Sequence, residues 1–151
     1  MKVLLLLFFS VLITASYQDI KKKEIENGCH AAIIMLSVVS ACLTPQIGLA
    51  SRLAGAACVS LPLLIITLIV PGAFGGGDIK LMAACGLFLG WRLTVVAAIV
   101  GIFLGGIYVI FLMIKKKAGR NMQIAFGPFL CAGMAVSVLW GQQLIHWYSG
   151  L

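Results

Sequence analysis

The stretch Leu93–Ile114, LTVVAAIVGIFLGGIYVIFLMI, runs for 22 residues without one charged side chain. A helix needs about 20 such residues to cross the hydrocarbon core of a bilayer, at a rise of about 1.5 Å per residue. Outward from it lie five more apolar runs, separated by charged or Gly/Pro-rich breaks: Val3 to Gln18, Cys29 to Leu49, Leu53 to Phe74, Ile79 to Trp91, and Gln123 to Trp147. The run from Ile79 is clearly short and the run from Val3 somewhat short. One end of each is therefore expected inside the bilayer or in a water-filled recess. Each of these two short runs borders an aspartate.

Composition agrees with the runs. At 62% hydrophobic, 10% charged and a mean hydropathy of +1.14, the chain lies far outside the soluble range. Its 11 Lys/Arg and 4 Asp/Glu cannot cover a polar exterior, whereas a lipid-facing surface requires none. The expectation is an all-α fold: a polytopic membrane helix bundle of about six transmembrane helices, in one domain over residues 1–151. No internal repeat, low-complexity tract or long linker divides it, and the longest polar connection is Lys115 to Asn121.

The net charge of +7 does not point to nucleic acid, because the basic residues sit in short clusters between apolar runs. One side of the six-span arrangement collects eight of them: Lys21, Lys22, Lys23, Lys80, Lys115, Lys116, Lys117 and Arg120. The other side holds three, Lys2, Arg52 and Arg92. The positive-inside rule then puts Asp19 and Asp78 on the cytoplasmic face of the inner or plasma membrane. Lys2, the apolar run and Thr14-Ala15-Ser16 also have the pattern of a signal peptide. Lys21 to Lys23 follow directly and would resist translocation, so an uncleaved first span is expected.

Asp19 and Asp78 are the chain's two aspartates, and each begins an Asp-Ile-Lys tripeptide at the cytoplasmic end of an apolar run. Acidic groups are costly at such depth, which makes a functional reading the default. Taken singly, Asp19 also reads as an interfacial residue neutralised by Lys21 to Lys23, and Asp78 as a helix cap. Gly75-Gly76-Gly77 before Asp78 sharpens the choice, since three glycines permit positive φ and close approach of another chain. Asp78 would then open a helix, with its ionised form favoured by the positive end of the dipole. Asp19 would close one, which makes Asp78 the base and Asp19 the acid of a pair sharing a proton.

The remaining polar residues carry less. Five cysteines form no C-x-x-C pair and read as reduced, buried small hydrophobes. His30 and His146 lack partners at ligand spacing and read as interfacial, so neither a metal nor a cofactor is expected. Glu24 and Glu26 sit among lysines and read as solvated. Trp91, Trp140 and Trp147 read as lipid or interface anchors, and Gly101, Gly105 and Gly106 as a small-residue packing face.

Several of these segments together resemble a known family. Gly75-Gly76-Gly77-Asp78 matches the G-x-G-D signature of intramembrane aspartic proteases, and its extension Ile79-Lys80 matches the type IV prepilin peptidase version. Asp19-Ile20-Lys21-Lys22-Lys23-Glu24-Ile25-Glu26-Asn27 is similar to that family's first aspartate motif, an Asp, basic residues and then Ile-Pro-Asn, with Glu26 in place of the proline. Leu87-Phe88-Leu89-Gly90-Trp91 and Ile124-Ala125-Phe126-Gly127-Pro128-Phe129 also look like family segments, with Ala125 where a proline is common.

The resemblance implies a membrane aspartic endopeptidase, free of cofactor and metal. Its partners would be prepilins or pseudopilins with a basic leader and a hydrophobic helix, cleaved at the cytoplasmic face. It implies Asp19 and Asp78 as the catalytic pair, Gly75 and Gly77 as shaping the catalytic loop, and Lys80 as supporting Asp78 or the substrate, unless Lys80 serves only as a topology signal. Many bacterial relatives also N-methylate the pilin through a large insertion after the first span. Only Asp19 to Gly28 stand there in this chain, so peptidase activity without methyltransferase activity is expected, as in short tight-adherence or Flp-type enzymes. The same brevity is found in archaeal preflagellin peptidases. The rival from another class is a small transporter or proton-conducting protein using Asp19 and Asp78. A third reading is a non-catalytic assembly component.

Overall fold

In the computed structural model, residues 2–44, 46–72, 74–115 and 125–149 are described. Lys116, Lys117 and Arg120 of the basic tally, most of the Lys115 to Asn121 connection, and Ile124 of the last family-like segment lie outside them. The described residues form six helices and no strand: α1 (Lys2–Lys22), α2 (Asn27–Leu43), α3 (Leu49–Ile69), α4 (Gly76–Leu89), α5 (Trp91–Ile114) and α6 (Gly127–Ser149). Of these, α1, α3, α5 and α6 are long and apolar enough to cross a membrane, and α2 is a shorter apolar helix. The fold is a polytopic membrane helix bundle.

α4 has 14 residues, yet it is the most enclosed element, packing against α2, α3, α5 and α6. Phe88 near its end stacks on Phe8 of α1, with ring centroids 4.4 Å apart. The other helices close around it, α1 against α2 and α6, and α3 against α5. Apolar side chains that face away from this centre are exposed, as with Leu6, Ile13, Ile99, Phe103 and Trp147, which suits contact with lipid tails.

Small residues set the closest approaches. A Cβ on Gly55 of α3 or on Gly86 of α4 would run into the other's backbone, so these two helices meet main chain to main chain. On α5, a Cβ at Gly101 would lie 3.1 Å from the Phe129 carbonyl of α6, and one at Gly105 would strike the Phe126 ring. Gly106, expected on the same face, looks onto open space.

The apolar runs and the helices differ at their ends for physical reasons. α1 does not stop at Gln18 but continues through Asp19 to Lys22, and with 21 residues it is not short. Charged side chains do not interrupt a backbone ladder, and two lysines in the last turn suit the negative end of the dipole. α2 ends at Leu43 rather than Leu49, because Thr44 precedes a proline and takes φ −129°, ψ 73°.

Arg52 departs furthest from its expected role as a loop charge. It is buried, 3% exposed, at the end of the bundle away from Asp19 and Asp78. Its guanidinium donates to the carbonyls of Ile47, Leu87 (2.9 Å), Phe88 and Thr44, and to the hydroxyls of Thr44 (3.0 Å) and Ser40. The terminal carbonyls of α2 and α4 thus find a donor, and a cation sits at the negative ends of two helix dipoles. Buried carbonyls left without a donor cost about 1–3 kcal/mol. Arg52→Met is therefore expected to lower the thermal unfolding midpoint in detergent by roughly 5 °C or more, at about 2–4 °C per kcal/mol. An unchanged midpoint would remove Arg52 from this role.

Candidate active site

Asp78 owes its place to the turn before α4. Gly75 is the N-cap, with φ −70°, and its carbonyl accepts the N–H groups of Asp78 (3.0 Å) and Ile79 (3.3 Å). Positive φ occurs at Gly72 and Gly90 but not at Gly75, Gly76 or Gly77, so what this run supplies is space. A Cβ on Gly75 would stand 3.3 Å from Asp78 Oδ2, and one on Gly77 would stand 3.2 Å from the Ile25 Cβ. Gly76 meets nothing within 4 Å. The two crowded glycines are those of the G-x-G-D pattern. Asp78 itself is 4% exposed, and its Oδ1 has no hydrogen-bond partner in the protein.

Asp19, 5% exposed, lies in the last turn of α1 and points toward the start of α6. Its Oδ2 accepts the N–H of Gly127 at 2.9 Å. Gly127 makes room for this contact, since a Cβ there would fall 2.7 Å from that same oxygen and displace the carboxylate. The positive end of the α6 dipole thus offsets the unfavourable end of α1, a contact that links residues 108 positions apart and that no local pattern announces. Both carboxylates now face a helix N-terminus, Asp78 that of α4 and Asp19 that of α6, so the dipole at the end of α1 no longer separates an acid from a base.

The two carboxylates line one cavity of about 590 Å³. Its wall also includes Lys22, Lys23, Glu24, Glu26, Gly75, Gly77 and Lys80. All four acidic residues of the chain face this space. Lys80 is exposed at its edge and makes no ion pair with Asp78; the ion pair among the described residues is Lys22–Glu26, at 2.8 Å. That lysine holds the exposed Glu26 carboxyl below its usual range.

The connection between α1 and α2 is braced by Gln18, which donates to Glu26 Oε2 at 3.1 Å and accepts the Glu26 N–H at 3.2 Å and the Cys29 thiol at 3.4 Å. Glu26 has φ −63°, within the range a proline ring would impose, so the replacement leaves the backbone path intact. Of the five cysteines, Cys29, Cys85 and Cys131 are buried, Cys58 is half-buried and Cys42 is exposed. His30 is not interfacial: it is 6% exposed, with Nε2 3.0 Å from the Gly77 carbonyl. His146 is exposed near the end of α6. Among the described residues, no group of three or more His, Cys, Asp or Glu is placed to hold a metal ion.

The chain matches the family model described as the type IV leader peptidase family over residues 6–110, which take in both aspartates and the glycine turn. A prepilin leader peptidase/N-methyltransferase of Bacillus subtilis is 28% identical over 141 residues, covering 93% of this chain and 57% of that protein. Its namesake in Legionella pneumophila is 41% identical over 80 residues, 50% of this chain and 26% of that protein. Another, from Aeromonas salmonicida, is 34% identical over 74 residues, 49% and 25% of the two lengths. The chain thus spans between a quarter and just over half of the length of these relatives. No solved structure matches it. With the family match running from α1 into α5 and enclosing Asp19 and Asp78, the chain belongs to the type IV leader peptidase family.

Proposed function

We propose that this protein is a membrane aspartic endopeptidase that removes the leader peptide from type IV prepilin-like substrates, with Asp19 and Asp78 as its catalytic pair. The observation that carries this reading is the meeting of the chain's two aspartates, both buried, at the wall of one cavity at one end of the bundle. Two carboxylates in one recess cannot both ionise easily, so they hold one proton between them. A water bound between them is deprotonated by the ionised member as its oxygen attacks the scissile carbonyl carbon. The protonated member donates to the carbonyl oxygen. Collapse of the tetrahedral intermediate breaks the C–N bond as the amine nitrogen takes up a proton from the pair. The roles belong to the dyad rather than to either residue.

Gly75 and Gly77 support the pair by letting the turn fold back on Asp78 and pack on Ile25. The exposure of Lys80 at the cavity edge supports a role toward the substrate. The partners proposed are prepilins or pseudopilins, whose hydrophobic helix would lie in the bilayer beside the bundle while the cleaved bond enters the polar cavity. With Arg52 buried as a helix clamp, the basic residues divide more sharply toward the end bearing the aspartates. That supports an inner or plasma membrane protein with the site facing the cytoplasm. Four residues, 23–26, join α1 to α2, which supports cleavage without N-methylation and a single domain.

Co-expression with a prepilin from the same genome, followed by mass spectrometry of the pilin N-terminus, tests this directly. Wild type should release the leader and leave an unmethylated N-terminus. Asp19→Asn and Asp78→Asn should each lower the rate on the order of 10³-fold or more. Loss of cleavage in Glu24→Gln with retention in Asp19→Asn would overturn the pair. Gly127→Ala should push the Asp19 carboxylate aside and lower kcat roughly 10²-fold, the usual effect of misplacing a reacting group by about 1 Å. Gly106→Ala, whose methyl meets nothing within 4 Å, is the matched control.

A further inference from the structure

We infer that His30 is a positioning residue for the turn that carries Asp78, an inference that rests on the peptidase reading above. The imidazole belongs to the first turn of α2 and is buried at 6% exposure, where an unpaired polar ring would be costly. Its Nε2 lies 3.0 Å from the carbonyl oxygen of Gly77. A carbonyl only accepts, so Nε2 carries the hydrogen. In the neutral ring Nδ1 is then a bare acceptor, and Nδ1 is buried with no partner in the protein. The surroundings thus use one tautomer, and they use it to hold the residue immediately before Asp78.

Asp78 needs such a hold. Its Oδ1 has no partner, and no side chain caps α4, so the carboxylate takes its position from the backbone of its own turn. That backbone is fixed from two directions, by the α1–α2 connection and by the first turn of α2. Ile25 packs against Gly77, and His30 bonds its carbonyl. The His30 bond ties the Gly77 carbonyl of this turn to α2. His30 is absent from the cavity wall, so it acts through the turn and not on the substrate.

The test uses the full chain, reconstituted with a cleavable prepilin, and three variants chosen by reach. Glutamine can place its amide nitrogen near the Nε2 position, asparagine falls short of it, and leucine has no donor. His30→Leu and His30→Asn should lower kcat roughly 10- to 100-fold with KM within about threefold, whereas His30→Gln should stay within about fivefold of wild type. Rates are taken per folded molecule, and if the leucine variant does not fold, the asparagine and glutamine pair decides. Wild-type kcat in His30→Asn, or a glutamine variant as slow as the asparagine variant, overturns the inference. An independent readout needs no activity: the ¹⁵N spectrum of the imidazole, assigned by its loss in His30→Gln, should show the Nε2–H tautomer. An Nδ1–H tautomer refutes the bond. A wild type that folds and shows the Nε2–H tautomer but cleaves nothing refutes the peptidase reading and leaves the bond standing.

Discussion

A helix of 14 residues, about 21 Å long, cannot reach both faces of a bilayer core about 30 Å thick, and the rest of this structure is arranged around that shortfall in α4. Both of its ends fall where backbone groups must be satisfied by protein or must line a cavity. At the carboxyl end Arg52 supplies donors to Leu87 and Phe88. At the amino end, the glycine turn opens onto the polar cavity and sets Asp78 on its wall. Enclosure by the surrounding helices, with main-chain contact at Gly55 and Gly86, keeps the short helix from sliding.

The cavity at the amino end of α4 is where the acidic groups of the chain collect. In a chain of net charge +7, every acidic residue faces that space. Lys22 neutralises Glu26 there, whereas Asp19 and Asp78 are buried without a lysine partner. Asp19 is instead stabilised by a backbone N–H at a helix N-terminus. A fixed dipole supports charge without the mobility of a long side chain, and it leaves the second carboxylate oxygen free for another contact.

How much of this was readable from the sequence depends on range. Hydropathy alone located six helices, because lipid exposure is written residue by residue, and the two aspartates stood out because so few acidic groups occur. The helix ends were less legible: charge was read as the end of α1, although the backbone ladder continues through Asp19. The glycine run was expected to permit positive φ and close approach, and of the two it supplies close approach. Gly127, His30, Gln18 and Arg52 were not legible as parts of the site or its supports. Their partners lie on other elements of the fold, and a single sequence carries no period or spacing that reports such a contact. Arg52 was misread for the same reason, since a guanidinium near a helix end looks the same whether it faces water or caps two buried helices.

The substitution at position 26 shows how such a site tolerates change. The resemblance places a proline where this chain has Glu26, and a proline would fix φ and lack an N–H. Glu26 adopts φ −63° without the ring, and its N–H is taken up by the Gln18 side chain, which also accepts the Cys29 thiol. What a proline would achieve by covalent restriction is thus achieved here by a hydrogen bond donated to the residue just before Asp19. The consequence is a coupling: the path of the α1–α2 connection, and through Ile25 the seat of Gly77, depends on the same helical turn that presents one of the two carboxylates. Ile25 and His30 carry that dependence across to Gly77, next to the other carboxylate. The α1–α2 connection and the first turn of α2 therefore tie the two halves of the proposed dyad together.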